Sequence, residues 1–456
     1  MGCFMNKTHT LTYSKKKYLF NGLQIEVEIE SNPYQLELAK VFLMAGRINK
    51  KRAFLFVSKL LGKHLPINPY IGILTGAILA ERYSYTVNAE DLHLKDLLTE
   101  SFLTEGEDQT FSPYPFIAEH HNPVIIGFAE TATGLGHAFF ECFQNADFFH
   151  TTREDLGAVT PVITFEEEHS HATSHRCYVD EQLLNNQREI ILVDDELTTG
   201  KTAINIIRSI QAKFPRKNYT VVSILDWRST EHQEAFMAIE VELGITINCV
   251  SLIQGKMKAI GEIDFENSPV PEYSRNLSQQ KITIIPLQAQ LSSEFEAIPG
   301  NMTSINQLPY LHETGRFGIK GIDYHKMNDW LKIIASQLKK SRAGKKTLCL
   351  GTGEFMYLPM KVASLMGSGV KYHSSTRSPI YPNQAEDYGA NWKLEFPNPE
   401  DSQIKNFVYN IPPNGYDDIF LMFEREVPAE SLKPFLDQLG KTGINDIKII
   451  FFSSKQ

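Results

Sequence analysis

Residues 190–202 read Ile-Ile-Leu-Val-Asp-Asp-Glu-Leu-Thr-Thr-Gly-Lys-Thr and hold the densest chemistry in the chain. The apolar run Ile190 to Val193 suits a strand buried on both faces of a parallel sheet, and Ala203, Ile206, Ile207 and Ile210 recur at helical spacing. The turn between them, Thr198, Thr199, Gly200, Lys201 and Thr202, offers backbone N–H groups, small hydroxyls and a helix N-terminus to an anion. The helix dipole alone contributes roughly 0.3 to 1 kcal/mol, so hydrogen bonds must supply most of the grip. Asp194 and Asp195 set two carboxylates beside that anion. They repel a bare phosphate but suit a sugar phosphate, because they can accept from two vicinal hydroxyls. Gly200-Lys201-Thr202 also reads like the end of a nucleoside-triphosphate loop, yet the opening glycine of that loop falls on Asp195. A carboxylate where a polyphosphate should thread argues against it.

The elements that must position this turn follow from the wider pattern. The chain has 456 residues, too many for one ordinary core, and 42% of them are hydrophobic, which supports a folded protein of two domains. Residues 23–30 alternate strictly and predict a half-buried strand, and a helical region is expected from about Tyr34 to Lys63. From Pro123, strands at 124–126, 146–149, 190–193 and 221–225 alternate with helical stretches. Such alternation predicts an α/β fold, a parallel sheet with helices on both faces and its ligand at the carboxyl ends of the strands. Residues 266–278 are polar and proline-bearing, as a connector should be. We therefore expect a first domain over 1–265 (with an N-terminal strand and helical segment over 1–120), a linker over 266–300 and a second α/β domain over 301–456. That second domain is expected as a degenerate repeat. Gly127, Glu130 and Arg153 recur as Gly351, Glu354 and Arg377 at one offset of 224 (351 − 127, 354 − 130, 377 − 153).

A net charge of −9 gives no general field to attract nucleic acid or an anionic membrane. Lys50, Lys51, Arg52, Lys59, Lys63 and His64 form the clearest basic patch, which reads as a solvated helix face. Five scattered cysteines without a C-x-x-C pair suit reduced thiols, and the longest apolar run, Ile71 to Ala80, is half the length of a membrane span. The first residues lack the charged and apolar regions of a signal peptide, so a cytoplasmic protein is expected.

A strand, two acids, a Thr-Thr-Gly turn and a helix resemble the PRPP-binding motif of type I phosphoribosyltransferases. Thr376-Arg-Ser-Pro379 in the second half, with Gly127-Phe-Ala-Glu-Thr-Ala-Thr-Gly134, Phe56-Val-Ser-Lys-Leu-Leu-Gly-Lys-His64 and Gly315-Arg-Phe-Gly318, extends the likeness to phosphoribosyltransferase-like proteins fused to a TRSP domain. Those proteins are associated with tellurite-resistance and stress operons. The resemblance implies transfer of a phosphoribosyl group from PRPP to a nitrogenous base, in synthesis of a nucleotide- or nucleoside-like metabolite. Leu225-Asp-Trp-Arg228 is similar to the Leu-Asp-Arg segment of orotate phosphoribosyltransferases, with a tryptophan inserted, which puts orotate itself in doubt.

On this reading the ribose phosphate sits on Thr198 to Thr202, while Asp194 and Asp195 hold the ribose hydroxyls and favour the developing cation. Ala129, Glu130, Thr131 and Ala132 form a pyrophosphate loop, reached by Arg153 with a bidentate guanidinium. Magnesium is implied by the clustered phosphates. His169, His171, His175 and Arg176 are expected in a lid that excludes water; a metal site or a solvated loop are the other readings of those histidines. Asp226, Trp227 and Arg228 are candidates for stacking on and hydrogen-bonding the base, or the tryptophan caps the core. Glu354, Thr376, Arg377 and Ser378 form a candidate second anion site or a structural turn. A homodimer is expected. A PRPP- or nucleotide-sensing protein that performs no transfer is the reading from another class.

Overall fold

The computed structural model describes residues 15–20, 22–47, 52–106, 111–112, 114–157, 159–166, 174–263, 273, 280–288 and 308–454. Two sheets organise them. In the first, five parallel strands lie in the order Thr246–Ile260, Asn218–Asp226, Ile190–Leu197, Val124–Gly127 and Asp147–His150. The central ones are apolar on both faces because helices cover both, as the uninterrupted run Ile190 to Val193 predicts. The alternating segment forms Leu23–Ser31, which pairs antiparallel with the Thr246–Ile260 strand and carries Lys15–Phe20 at the outer edge.

The second sheet is wholly parallel, in the order Lys281–Ile284, Asp446–Ser453, Asp418–Arg425, Thr347–Gly351 and Val370–Ser374. Four of its strands have counterparts in the first sheet, in the same spatial order. The pairs starting at 190 and 418, and at 218 and 446, share an offset of 228, four residues more than the loop motifs. The edge strand is the exception. In the first half it follows the others, whereas in the second it comes from Lys281–Ile284, ahead of them in the chain.

Two stretches differ from the expected domain layout. Lys281–Ile284 lies in the segment read as a linker, and Ile319–Lys320, from the second domain, pairs with Asp147–Phe148 at the edge of the first sheet. The region 34–63 is not helical, among its described residues, beyond the short turn Leu38–Val41. It is a hairpin of Phe42–Gly46 and Phe54–Ser58, with Met44 opposite Phe56. Aromatic and β-branched residues suit that pleated surface better than a helix, and Phe42 meets Phe56 edge-on at 4.8 Å.

Between the sheets runs the helix Pro69–Thr86, capped by the Asn68 side chain, which accepts from the Tyr70 backbone N–H. It is apolar nearly all round because it packs on both halves, against the helices Ala132–Phe140 and Tyr357–Leu365. Those two helices also meet each other. His137 stacks on Tyr357 at 3.7 Å, and the buried Glu141 accepts from Tyr357 and Lys361. No helix among the described residues is long and apolar enough to cross a membrane.

Candidate active site

The strand from Ile190 continues through both acids to Leu197, so Asp194 and Asp195 stand at the carboxyl end of the sheet and are half-buried. Asp195 donates its backbone N–H to the Asp194 carboxylate at 2.9 Å. Gly200, at φ 75°, then turns the chain into the helix Lys201–Lys213. Only glycine fits there: a Cβ would stand 2.4 Å from the ring of Phe236. Beneath the turn, Arg228 lies over the Phe236 ring at 4.4 Å and pairs with Asp226 at 2.7 Å.

The pyrophosphate-loop candidates follow the neighbouring strand Val124–Gly127. The Ala129–Glu130 peptide is cis. Ala129 donates its N–H to the Thr151 hydroxyl at 2.9 Å, and that hydroxyl meets His175 Nδ1 at 2.8 Å. Since the Thr151 oxygen already accepts from Ala129, its own proton can go to Nδ1, which leaves the ring proton of a neutral His175 on Nε2. Glu130 is buried. One of its oxygens accepts from Thr376 at 3.0 Å and lies 3.7 Å from Lys63 and 4.0 Å from Arg153, while the other, Oε1, has no hydrogen-bond partner among the described residues. Lys63 also donates to the Thr131 hydroxyl at 2.5 Å.

These pieces converge. One open cleft, with about 160 Å³ of free room inside it, is lined by Asp194, Asp195, Thr198, Thr199, Gly200 and Thr202 on one wall and by Ala129, Glu130, Thr131 and Arg153 on the other, together with His175. Three cations that sequence reasoning left aside, Arg47, Arg52 and Lys63, complete it. Arg52 reaches from the hairpin onto the turn, donating to Thr198 at 3.0 Å and Glu196 at 2.7 Å. Arg52 and Lys63 are thus not on a solvated helix face, and Lys50 and Lys51 of the same patch lie outside the described residues. The signal was the interleaving of Arg52 and Lys63 with Phe54, Phe56 and Val57, a strand pattern whose charged ends turn inward.

Other expected residues stand outside the cleft. Ala132 is buried at the start of its helix and Lys201 is exposed at the start of the next. Arg176 braces the approach, donating to the Arg153 carbonyl at 3.3 Å and pairing with Asp155. His175 and Arg176 belong to the hairpin Ile163–Glu166 and Ser174–Cys177, whereas His169 and His171 lie outside the described residues. The base-stacking expectation for Asp226, Trp227 and Arg228 is corrected. All three are buried, Trp227 stacks on Phe56 at 5.0 Å inside the core, and none lines the cleft. They support the phosphate turn from below.

The second-half candidates face the first half. Glu354 accepts from the Thr152 hydroxyl at 2.6 Å, the Arg153 backbone N–H at 2.9 Å and Arg316 at 2.8 Å. Burial alone would raise its carboxyl, but the Arg316 charge and these donors override it and hold the group ionised well below the usual carboxylate range. The exchange is reciprocal: Thr376 serves Glu130 as Thr152 serves Glu354, and both pairs stand at the offset of 224 (376 − 152, 354 − 130). Contacts of the form i to j and j to i mark a two-fold interface. Glu354 and Thr376 are therefore spent on the junction between halves rather than on an anion, and Ser378 lines neither the cleft nor the small cavity beside Glu354 where Arg377 lies.

Residues 41–256 match the family model for phosphoribosyl transferases, and residues 313–439 match the model for the TRSP domain that lies C-terminal to it. The chain belongs to the phosphoribosyl transferases that carry a TRSP domain. Among solved structures, it is similar to adenine phosphoribosyl transferase from Trypanosoma brucei in complex with AMP, pyrophosphate and ribose-5-phosphate (12% identity, 52% of this chain and 86% of that one, TM-score 0.31). It is also similar to orotate phosphoribosyltransferase from Mycobacterium tuberculosis H37Rv in complex with inorganic phosphate (14% identity, 47% and 90%, TM-score 0.23). No curated protein matches the chain. The phosphoribosyl transferase region contains the whole cleft, and the TRSP region contains Glu354 and Thr376, which grip it.

Proposed function

We propose that the cleft performs magnesium-dependent transfer of the phosphoribosyl group of PRPP to a nitrogenous base, in the making of a nucleotide- or nucleoside-like metabolite. The observation that carries this reading is the meeting of the Asp194–Asp195 pair and the Thr198–Thr202 turn with the Ala129–Thr131 loop in one cleft. A sugar phosphate and a pyrophosphate need two such sites a few ångströms apart. In this account the turn receives the 5-phosphate on its N–H groups and hydroxyls, and the two aspartates accept from the ribose hydroxyls. As the bond from the anomeric carbon to pyrophosphate breaks, charge builds on the ribose, and the same carboxylates stabilise it. Lys63, Arg153 and the loop N–H groups receive the departing negative charge, while the base nitrogen forms the new bond and gives its proton to the pyrophosphate that leaves.

The donor set fits magnesium. Asp194, Asp195 and the unpartnered Oε1 of Glu130 are hard oxygen ligands facing a site for clustered phosphates, where the ion would neutralise pyrophosphate. Trp227 being withdrawn, the base is assigned to the side of the cleft beneath the Phe42–Gly46 and Phe54–Ser58 hairpin, near Arg47 and Arg52. Pyrophosphate release from PRPP, screened over purine and pyrimidine bases with and without magnesium, tests the proposal. A base- and magnesium-dependent burst supports it, whereas PRPP binding with no release for any base would convert the site into a sensor.

A further inference from the structure

At the end of the first sheet away from the cleft, three metal-ligating side chains meet. Glu90 follows the helix Pro69–Thr86, and His120 and His121 precede the strand Val124–Gly127. One carboxylate oxygen of Glu90, Oε1, lies 3.0 Å from Nε2 of His121 and 3.4 Å from Nε2 of His120. The three residues can bring their ligand atoms within 4.8 Å of one another. Each segment is held in place by its own bonds. Ser84, buried in the helix, donates to the other Glu90 oxygen at 3.4 Å, and its carbonyl accepts from the Glu90 N–H at 3.1 Å, which leaves Oε1 to the histidines. His121 donates its N–H to the Ala118 carbonyl at 3.0 Å, and Asn145 donates to the Glu119 carbonyl at 2.9 Å. That turn presents both imidazoles together, with their centroids 4.0 Å apart.

The spacing is that of ligands around one ion. A tetrahedral zinc with bonds of about 2.0 to 2.1 Å sets its ligand atoms roughly 3.3 Å apart, and the two measured distances fall on either side of that value. A pair between exposed side chains contributes only about 0 to 1 kcal/mol, and a second imidazole on the same oxygen brings repulsion between the rings whenever both are charged. A metal ion removes that conflict, because it takes a lone pair from each of the three atoms. Two imidazoles beside one carboxylate favour zinc or a neighbouring transition metal over magnesium and calcium, which take oxygen ligands. His120 is exposed while Glu90 and His121 are half-buried, so the remaining coordination position faces water.

We propose that Glu90, His120 and His121 bind one zinc ion, with water in the remaining position. The site is separate from the cleft. His121 lies before the amino end of Val124–Gly127 and Ala129 to Thr131 lie after its carboxyl end, so roughly 13 Å of strand stands between them. Its role is that of a staple. Glu90 and His120 are 30 residues apart (120 − 90), and an ion joining them closes the stretch that carries the helix Lys95–Leu103. It also ties the end of the helix that runs between the sheets to the chain entering the first sheet. Nothing in this assignment depends on phosphoribosyl transfer.

The test is calorimetric titration of the chelator-treated full chain with zinc chloride, with metal analysis after dialysis. The expected result is one zinc ion per chain that the Asp194→Asn, Asp195→Asn variant keeps, that the His120→Ala, His121→Ala variant loses, and that a tenfold excess of magnesium does not displace. His120→Ala alone should weaken binding about tenfold or more; the side chain is exposed, so its loss leaves the fold intact, and Glu90→Gln provides a second variant on the other segment. Zinc should also raise the thermal unfolding midpoint of the wild type and leave that of the double histidine variant where it is. Equal zinc binding by the wild type and the double histidine variant, loss of zinc in Asp194→Asn, Asp195→Asn, displacement by magnesium, or an equal thermal shift in both proteins would each overturn the assignment.

Discussion

Gly200→Ala is the sharpest perturbation of the phosphate turn. An alanine at φ 75° costs roughly 1 to 2 kcal/mol in the left-handed region. Its Cβ would also stand 2.4 and 2.6 Å from two ring carbons of Phe236 and 3.3 Å from Cδ of Arg228. The ring has little room to retreat, because Arg228 covers it at 4.4 Å and is itself pinned to Asp226. Overpacking of this kind adds about 1 to 3 kcal/mol, so a total near 2 to 5 kcal/mol is expected. Part of that strain should appear as displacement of the Thr198–Thr202 turn, lowering PRPP affinity about tenfold or more. Urea unfolding and PRPP titration of wild type, Gly200→Ala, Phe236→Ala and the double variant separate the terms. Removing the ring relieves the clash but not the backbone strain, so the double variant should be less destabilised than the sum of the singles by about 1 to 3 kcal/mol. Strict additivity, or wild-type PRPP affinity in Gly200→Ala, would refute the reasoning.

Three further outcomes follow from the same geometry. Thr376→Val removes the donor to the buried Glu130 carboxylate and should raise the KM for PRPP, the loss corresponding to about 1.5 to 3 kcal/mol. Steady-state kinetics showing unchanged KM in a stable variant would mean that the TRSP half does not hold the pyrophosphate loop. Arg52→Met should loosen the turn it ties to the hairpin, and a PRPP affinity equal to wild type would count against that tie. Burial pushes the Glu424 carboxyl up to about 7, despite the opposing charges of Arg316 and Arg425. Its folded form therefore keeps a proton that the unfolded chain has lost, and this stability is fully present below about pH 4.5 and disappears as pH rises towards 7. Denaturation across that window should show a falling contribution of order 3 kcal/mol in wild type that Glu424→Gln lacks; parallel curves would contradict the assignment.

The phosphate cradle was legible because it is local: strand, acids, turn and helix occupy consecutive residues, and each carries its own backbone signal. The repeat was legible for a related reason, since Glu354 and Thr376 keep the spacing of Glu130 and Thr152. What stayed hidden was brought in from far along the chain. Reading 34–63 as helical concealed the hairpin that delivers Arg47 and Arg52, and it also removed Phe56, the partner that draws Trp227 into the core. One misread element thus misplaced both the cations and the base platform. Lys281–Ile284 was passed over as a strand although Lys-Ile-Thr-Ile alternates, because the polar, proline-bearing stretch before it read as a connector and was carried on through these residues. No pattern within either half could show that Glu130 and Thr376 would meet, because that contact belongs to the junction.

The central claim is that Asp194, Asp195 and the Thr198–Thr202 turn form a PRPP site. Calorimetric titration of PRPP with magnesium into the full chain, beside the Asp194→Asn, Asp195→Asn variant, tests it most directly. The account predicts micromolar binding by the wild type that the variant loses. No binding to the wild type, or equal binding by both proteins, would contradict it.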